Sequence, residues 1–293
     1  MLNDVYKSVD NRQSTALTCL DLSKAFDCLQ HNILLNKLRK LQLSPSFLNI
    51  LTSYFVNRKQ TVLLNDTHST FENVQLGTAQ GGVLSGMFFN IYINSICSLS
   101  LHSSIYLYCD DISLVTAAIS PAILKEHIEE DLSKIFQWLV FHFLVANESK
   151  TKFLLFHNKK RQEYFYEQAL TIRFNGTELE RVENLRLLGI ILDESLQFSE
   201  HIYSIQNKII PFTFALKRIR NLISQKTALL MYHAYVQSRL MYMNVIWATA
   251  PKYMIDSLEI TQRKALRITL NKPWHASRKE LYSTNTLPVS LLA

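Results

Sequence analysis

The stretch Ser104-Ile-Tyr-Leu-Tyr-Cys-Asp-Asp-Ile-Ser-Leu-Val115 decides how the rest of the chain is interpreted. β-Branched and aromatic residues flank two adjacent aspartates, Asp110 and Asp111, and this pattern predicts two strands joined by a tight turn. Neighbouring carboxylates repel each other, so both stay ionised only where a cation neutralises them. An acidic, solvated turn is the ordinary alternative. A second acidic position at a strand end would favour a functional interpretation.

Such a position lies upstream, in Ser14-Thr-Ala-Leu-Thr-Cys-Leu-Asp-Leu-Ser-Lys-Ala-Phe-Asp27. The apolar part up to Leu22 predicts a buried strand with Asp21 near its end. An aspartate at such a place is costly unless it is paired or bound to a metal. The alternative is a helix N-cap, a role for which Asp21, Ser23 and Asp27 compete.

Glycine is concentrated between these two acidic sites. Four of the six glycines in the chain lie within ten residues: Gly77, Gly81, Gly82 and Gly86. Clustered glycines let a backbone adopt positive φ and approach a ligand closely. Their spacing matches neither the P-loop nor the dinucleotide-binding pattern, and a plain tight turn is the alternative. An apolar helix is expected to follow, over residues 83–96.

The remaining pattern mixes helices with strands. Helices are predicted over His31–Leu41, from Ser44-Pro45 to about Val56, and from Ser120-Pro121 to Leu139. Hairpins are predicted over 60–76 and Leu170–Val182, and single strands over Lys152–His157 and Leu185–Asp193. From about Phe198 the pattern is helical and basic.

Charge is unevenly distributed along the 293 residues. Residues 1–200 carry 18 Lys+Arg against 21 Asp+Glu, a net charge of −3, and residues 201–293 carry 13 against 3, a net charge of +10. A basic region favours contact with a polyanion, although a solvated helical face accounts for it equally well. We expect two domains, 1–194 and 195–293.

Cysteine spacing and hydropathy indicate the cellular location that the sequence predicts. Cys19, Cys28, Cys97 and Cys109 show no Cys-x-x-Cys spacing, which argues against a zinc site and a disulfide scaffold. A reduced intracellular setting, nuclear or cytoplasmic, is therefore expected. No apolar run reaches transmembrane length and the N-terminus is not signal-like, so neither secretion nor a membrane partner is expected.

The acidic strand ends and the glycine-rich turn between them form one constellation. Carboxylates brought together on one sheet surface would hold two magnesium ions about 3.5–4 Å apart, the arrangement that polymerases use for in-line phosphoryl displacement. Magnesium suits such a site because it takes few carboxylates together with substrate phosphates.

The order of the blocks resembles that of reverse transcriptases of the jockey-like, non-LTR retrotransposon type. The blocks are Leu20–Asp27, Gln80-Gly81 before a helix ending Asn90-Ile-Tyr-Ile-Asn94, Tyr108–Asp111, Asn147-x-x-Lys150-Thr151 and Leu187–Asp193. The resemblance covers about Leu17–His201. It implies an α+β fold: a polymerase palm, in which an antiparallel sheet carries helices on one face, followed by a helical, thumb-like region.

The resemblance also implies residue roles. The catalytic residues, which would bind two Mg²⁺ or Mn²⁺ ions, would be Asp21, Asp110 and Asp111. The nucleotide-binding residues would be Leu22 through its amide, Phe26 as a steric gate against the ribose 2′-hydroxyl, Gln80 and Gly81 in the pocket, and Lys150 near the leaving pyrophosphate. An RNA template, a DNA primer and deoxynucleoside triphosphates would be the partners.

The sequence departs from the family pattern in five places. Ala79 and Gly86 replace usual prolines, Gly82 a serine, Ser95 an aspartate and Cys109 an alanine. These changes predict a loosened glycine-rich loop and reduced catalytic efficiency.

The chain starts only 20 residues before Asp21, whereas the family's fingers form a long segment ahead of that block. We therefore expect an N-terminally truncated palm and thumb, with fingers and endonuclease segments upstream in the full element protein. An RNA-directed DNA polymerase is the first hypothesis, and a degenerate, inactive remnant that still folds and binds nucleic acid is the second. A metal-dependent glycosyl or phosphoryl transferase is disfavoured, because it explains neither Phe26 nor Gln80-Gly81.

Overall fold

The computed structural model describes residues 1–79, 81–156, 170–282 and 286–292. The chain divides into two compact units, Met1–Val182 and Glu183–Ala293. The first mixes helices with a sheet and the second is mainly helical, which confirms the predicted α+β class. Treating 1–194 and 195–293 as palm and thumb domains stays a prediction. No helix among the described residues is both long and apolar enough to cross a membrane.

The elements of the first unit alternate along the chain. Its helices are α1 (Leu2–Asp10), α2 (His31–Lys40), α3 (Pro45–Phe55), α4 (Ser85–Ile93) and α5 (Pro121–Phe141). Its strands are β1 (Ser14–Ser23), β2 (Lys59–Gln60), β3 (Leu63–Leu64), β4 (Thr67–His68), β5 (Glu72–Asn73), β6 (Ser104–Tyr108), β7 (Asp111–Ala118), β8 (Val145–Phe156), β9 (Arg173–Phe174), β10 (Thr177–Glu178) and β11 (Glu180–Arg181). His157, the last residue of the strand predicted over 152–157, lies outside the described residues.

The main sheet has the strand order β11-β8-β1-β7-β6, with the predicted buried strand β1 at its centre. β1 pairs antiparallel with β7 and with β8, and β6 pairs antiparallel with β7. β11 adds to β8 in parallel. The acidic strand end and the acidic hairpin therefore belong to adjacent strands of one sheet.

The two faces of this sheet are buried differently. Ala16, Leu20 and Leu22 of β1 join the main core, together with buried residues of α2, α3, α4 and α5. Leu17 is register partner to both Val115 and Leu154, and all three are buried outside that cluster. Because strand side chains alternate between faces, odd-numbered residues of β1 lie on the face turned away from the helical layer.

Two predicted helix starts are confirmed by their capping bonds. The Ser44 hydroxyl accepts a hydrogen bond from the Phe47 amide at 3.3 Å, and Ser120 accepts one from the Ile123 amide at 3.4 Å. Proline occupies the first helical position in both α3 and α5. A serine cap followed by proline satisfies or removes amide donors that a helix start leaves unpaired.

The hairpin predicted over 60–76 forms with different pairing. β3 and β4 make an inner hairpin around Asn65 and Asp66, which both have positive φ. β2 and β5 pair outside it. Each strand has only two residues, and all of them are exposed. No core therefore stabilises longer strands here.

In the second unit, the single strand predicted over Leu185–Asp193 is wrong. The segment folds back as a hairpin of β12 (Asn184–Leu187) and β13 (Ile190–Asp193). Leu188 and Gly189 both have positive φ, and the Tyr242 hydroxyl donates to the Leu188 carbonyl at 2.6 Å. The following helices are α6 (Ser199–Ile219), α7 (Gln225–Tyr232), α8 (Ser238–Met241), α9 (Asn244–Trp247), α10 (Lys252–Thr269), α11 (Arg278–Leu281) and α12 (Val289–Leu292).

Candidate active site

The two adjacent aspartates lie at the tip of the predicted hairpin. Tyr108 and Asp111 are the last register partners of β6 and β7, and Cys109 and Asp110 form the turn between them. Cys109 has a φ of +54°, a conformation that the tight connection of two antiparallel strands commonly requires. The turn thus places Asp110 at the tip and Asp111 at the first position of β7.

Asp21 reaches the same end of the sheet. The antiparallel register of β1 and β7 runs to Leu20 and Ile112, so Asp21 and Asp111 are the next residues on the two strands. Leu20 and Leu22 both belong to the core, and Asp21 between them lies on the opposite face. Ile112 is also a core residue, which places Asp111 on the same face as Asp21.

The carboxylates affect one another electrostatically. Partial burial raises the pKa of the Asp111 carboxyl, and the negative charges of Asp110 and Asp21 raise it further. Cys19, which is on the same face, has a thiol pKa raised to about 11, mainly by burial and also by the charge of Asp111, against the lowering effect of a hydrogen bond with Ser113. The end of the sheet therefore concentrates negative charge that a bound cation would relieve.

Lys150 of β8 supplies the one positive group recorded beside this site among the described residues. Its ammonium nitrogen lies 3.8 Å from an Asp21 carboxylate oxygen. The two side chains are 69% and 42% exposed, so the pair adds little stability. Such a lysine remains free to exchange partners when an anionic ligand arrives.

The donor set at this edge suits a hard divalent cation, because all three side chains offer carboxylate oxygens. Among residues 1–79, 81–156, 170–282 and 286–292, no three His, Cys, Asp or Glu side chains are positioned to hold a metal ion together. Asp21 and Asp111 thus share one edge and one face of the sheet, with Asp110 in the adjoining turn.

Phe26 lies just beyond Asp21, in a short 3-10 turn over Ala25–Asp27. Its half-buried ring packs against Phe89 of α4, with ring centroids 4.8 Å apart. The Phe26 carbonyl accepts a hydrogen bond from the Thr78 amide at 3.0 Å. A packed ring and a bonded backbone give this side chain a defined position.

The glycine-rich segment is packed against that turn. Gly77 has a φ of +75°, and a Cβ there would lie 2.9 Å from both the Cα and the carbonyl oxygen of Asp27. Only glycine permits this approach. Gly81 also has positive φ, +77°, and is exposed with open space around it. Gln80 lies outside the described residues.

Leu22, proposed to act through its amide, occupies a ladder position opposite Ala146 of β8. Its side chain is buried in the core. The structure therefore brings Asp21, Asp110, Asp111 and Lys150 to one end of the sheet, with Leu22 adjacent in the chain.

Sequence reasoning missed the contacts that anchor the glycine-rich segment. His31 Nε2 lies 2.7 Å from the Gly77 carbonyl oxygen, and the Ser85 hydroxyl donates to the Ala79 carbonyl at 2.5 Å. A cavity of about 700 Å³ beside the segment is lined by Asp27, Arg58, Lys59, Gln60 and residues 73–79. The sequence offered one signal for this cavity, the adjacent basic residues Arg58 and Lys59. Paired basic residues near a glycine-rich loop favour an anionic ligand.

Relatives with similar sequences span this chain almost completely. An RNA-directed DNA polymerase from the mobile element jockey of Drosophila funebris is 25% identical over 292 residues, which cover 96% of this chain and 31% of the relative. A probable RNA-directed DNA polymerase from transposon BS of Drosophila melanogaster is 22% identical, with 95% and 31% covered. The chain thus spans about 31% of the length of these relatives.

Solved structures of telomerase are also similar. The Candida tropicalis enzyme in complex with a TWJ fragment of telomeric RNA has a TM-score of 0.47 and 12% identity, over 98% of this chain and 52% of that one. The Candida albicans complex with the same kind of fragment has a TM-score of 0.45 and 13% identity, over 98% and 55%.

The sequence profile of one protein family covers most of the first unit and the β12–β13 hairpin. That family is described as reverse transcriptase (RNA-dependent DNA polymerase), and its profile matches residues 2–192. The match includes every motif block given in the sequence analysis apart from Asp193, the last residue of the final block. The resemblance seen in those blocks is confirmed, and the chain belongs to the reverse transcriptase family.

Proposed function

We propose that this chain is the palm and thumb-like portion of an RNA-directed DNA polymerase that adds deoxynucleotides to a primer 3′ end on an RNA template. The observation that carries the proposal is the meeting of Asp21 and Asp111 at one end and on one face of the sheet, with Asp110 in the adjoining turn. Since the relatives are about three times longer than the chain, polymerase activity is proposed for the larger protein.

In this proposal Asp21, Asp110 and Asp111 hold two Mg²⁺ or Mn²⁺ ions. When bound, these ions would neutralise charge on the triphosphate and activate the primer 3′-hydroxyl. Electrostatic repulsion among the carboxylates supports metal binding here, because the charges of Asp110 and Asp21 contribute to the raised pKa of Asp111. A cation between them removes that repulsion.

The remaining residues position the nucleotide. Phe26 would exclude a ribose 2′-hydroxyl by volume, and its packing against Phe89 supports a fixed gate. Gly81 and Gln80 would line the pocket, and the Leu22 amide would lie near the triphosphate. Lys150 would release Asp21 and stabilise charge on the leaving pyrophosphate.

The second unit would contact the nucleic acid. Residues 201–293 carry the whole positive excess of the chain, 13 Lys+Arg against 3 Asp+Glu. Exposed aromatic residues, including Tyr203 and Tyr235, lie on the same unit, and such side chains can stack on bases. RNA template and DNA primer are therefore the proposed partners, in the nucleus or the cytoplasm.

The competing candidate is a degenerate remnant that binds nucleic acid without chemistry. Its support is the set of altered residues at Ala79, Gly82 and Gly86 in the glycine-rich segment. Against it, the Gly77 amide donates to the Leu29 carbonyl at 2.8 Å, and Ser85 fastens the Ala79 carbonyl. These bonds anchor the segment at both ends.

Primer extension tests the proposal. The chain is joined to the preceding portion of the jockey relative and given a DNA primer on an RNA template with Mg²⁺. We expect extension that is abolished in Asp110→Asn and retained in Asp66→Asn, a matched exposed aspartate in the same unit. We also expect little or no extension by the 293-residue chain alone. Binding of the primed template without extension by the joined protein, with no Mg²⁺ binding, would support the remnant instead.

A further inference from the structure

A groove of about 1070 Å³ lies in the first unit, among α2, α4 and the end of α5. Much of its lining is apolar: Ile33, Leu41, Met87, Ile91 and Phe141. Several of these side chains are open to solvent, with Phe141 74% exposed and Leu41 52% exposed. The groove therefore exposes apolar side chains of three helices to solvent.

Lys37 stands in the wall of this groove and is partly exposed. Its ammonium donates to the Tyr92 carbonyl and, at 2.7 Å, to the Ser95 hydroxyl. It also lies 5.2 Å from the ring centroid of Tyr92 and 5.4 Å from that of Trp138. An ammonium has three N–H donors, so Lys37, which is only partly buried, keeps one N–H for solvent or for a ligand in the groove.

The charge around Lys37 is not compensated. Burial and the positive charge of Lys40 lower the pKa of Lys37 to about 8. Lys37 and Lys40 are the charged side chains of the groove lining, and all twelve lining residues are described. The groove therefore presents apolar surface beside two cations, and a complementary ligand is apolar and acidic.

We propose that this groove binds an amphipathic helix of a partner protein, with apolar side chains against Met87 and Phe141 and a carboxylate that pairs with Lys37 and Lys40. Helical partners commonly bind apolar grooves between helices through residues one turn apart. A nucleic-acid strand fits less well, since it needs a cationic track along its backbone. This site is separate from the proposed catalytic residues and does not depend on polymerase activity.

Lys37 also has a structural role that requires no ligand. The Tyr92 carbonyl to which it donates belongs to the last turn of α4. A cation there stabilises the helix end whether or not anything binds in the groove. That role predicts an effect of Lys37 on stability and none on the choice of ligand. The two accounts are therefore separated by binding selectivity.

A double-mutant cycle measures that selectivity on the full chain. One designed, labelled peptide of 16 residues has leucines along one helical face and glutamates at its edge, and a second has glutamine in place of each glutamate. Fluorescence anisotropy should show the glutamate peptide binding about tenfold more tightly, the effect of one charge-assisted hydrogen bond. Lys37→Met should remove most of the preference, since only Lys40 then remains to pair with the carboxylate, and Lys125→Met, at the other end of α5, should retain it in full.

Phe141→Ala supplies a second variant that leaves the core intact, because this ring is mostly exposed. It should weaken both peptides alike. Equal affinity of the two peptides for the native chain would overturn the proposal, as would an unchanged preference in Lys37→Met. Displacement of the peptide by oligouridylate, or binding only to vesicles of anionic phospholipid, would assign the groove to another ligand and would also overturn it.

Discussion

Gly77→Ala is the substitution whose consequence follows most directly from the packing at the candidate site. The added Cβ would meet Asp27 Cα and Asp27 O at 2.9 Å and Phe26 O at 3.0 Å. All three atoms are backbone, so no side-chain rotation relieves the contact. An L-residue at a φ of +75° costs roughly 1–2 kcal/mol, and overpacking typically costs about 1–3 kcal/mol more.

We therefore expect Gly77→Ala to lower the free energy of unfolding by roughly 2–5 kcal/mol, the sum of these two costs. Gly176→Ala is the matched control, because Gly176 has a φ of +84° and no atom within 4 Å of an added Cβ. It should cost only the conformational part, roughly 1–2 kcal/mol. Urea unfolding followed by circular dichroism gives both values.

A local measurement accompanies the global one. Hydrogen exchange of the Thr78 amide, which donates to the Phe26 carbonyl, should accelerate in Gly77→Ala and stay unchanged in Gly176→Ala. Equal unfolding free energies for the two variants would refute the argument that the glycine-rich segment is held against the Phe26 turn by close backbone packing.

Three further outcomes are expected. In the protein that joins this chain to the preceding portion of the jockey relative, Phe26→Val should let ribonucleotides compete better with deoxynucleotides in primer extension, and unchanged sugar discrimination would make Phe26 only a packed ring. Burial holds the pKa of His201 at about 4, below its usual 6.5, so the folded state favours the neutral ring. The contribution of His201 to the free energy of unfolding should therefore be complete above pH 6.5 and should fall by about 2 kcal/mol between pH 7 and pH 5, as measured by urea unfolding. His201→Leu should remove this loss, whereas His233→Leu, at an exposed position, should not. Replacing exposed Lys217 and Arg218 by Gln should reduce the salt dependence of RNA–DNA hybrid binding by about one to two units of slope, and an unchanged slope would assign both residues to solvation alone.

The local patterns that the sequence predicted correctly depend on nearby residues. The central strand β1 is rich in small, apolar and β-branched residues, and α3 and α5 each begin with serine followed by proline. The hairpin tip at Asp110 also follows from its own composition, because apolar strand residues flank a turn-forming pair. Such features need no knowledge of distant contacts.

The errors come from contacts that a local pattern does not contain. Apolar residues over Leu185–Asp193 look continuous, yet Leu188 and Gly189 turn the chain back. The hydroxyl that holds this turn belongs to Tyr242, 54 residues further along. Likewise, the anchoring of Gly77 by His31 joins residues 46 apart. The site residues themselves came from the family resemblance, since an aspartate at a strand end is ambiguous alone.

Manganese binding by the carboxylates tests the central claim most directly. Electron paramagnetic resonance of Mn²⁺ titrated into the full chain reports bound ion without requiring primer, template or upstream segments. We expect weak binding that is lost in Asp110→Asn and retained in Asp66→Asn, because only the former removes a carboxylate from the end of the sheet where Asp21 and Asp111 meet. Binding of equal strength in Asp110→Asn and the native chain would contradict the assignment of this edge as the metal-binding centre of a polymerase.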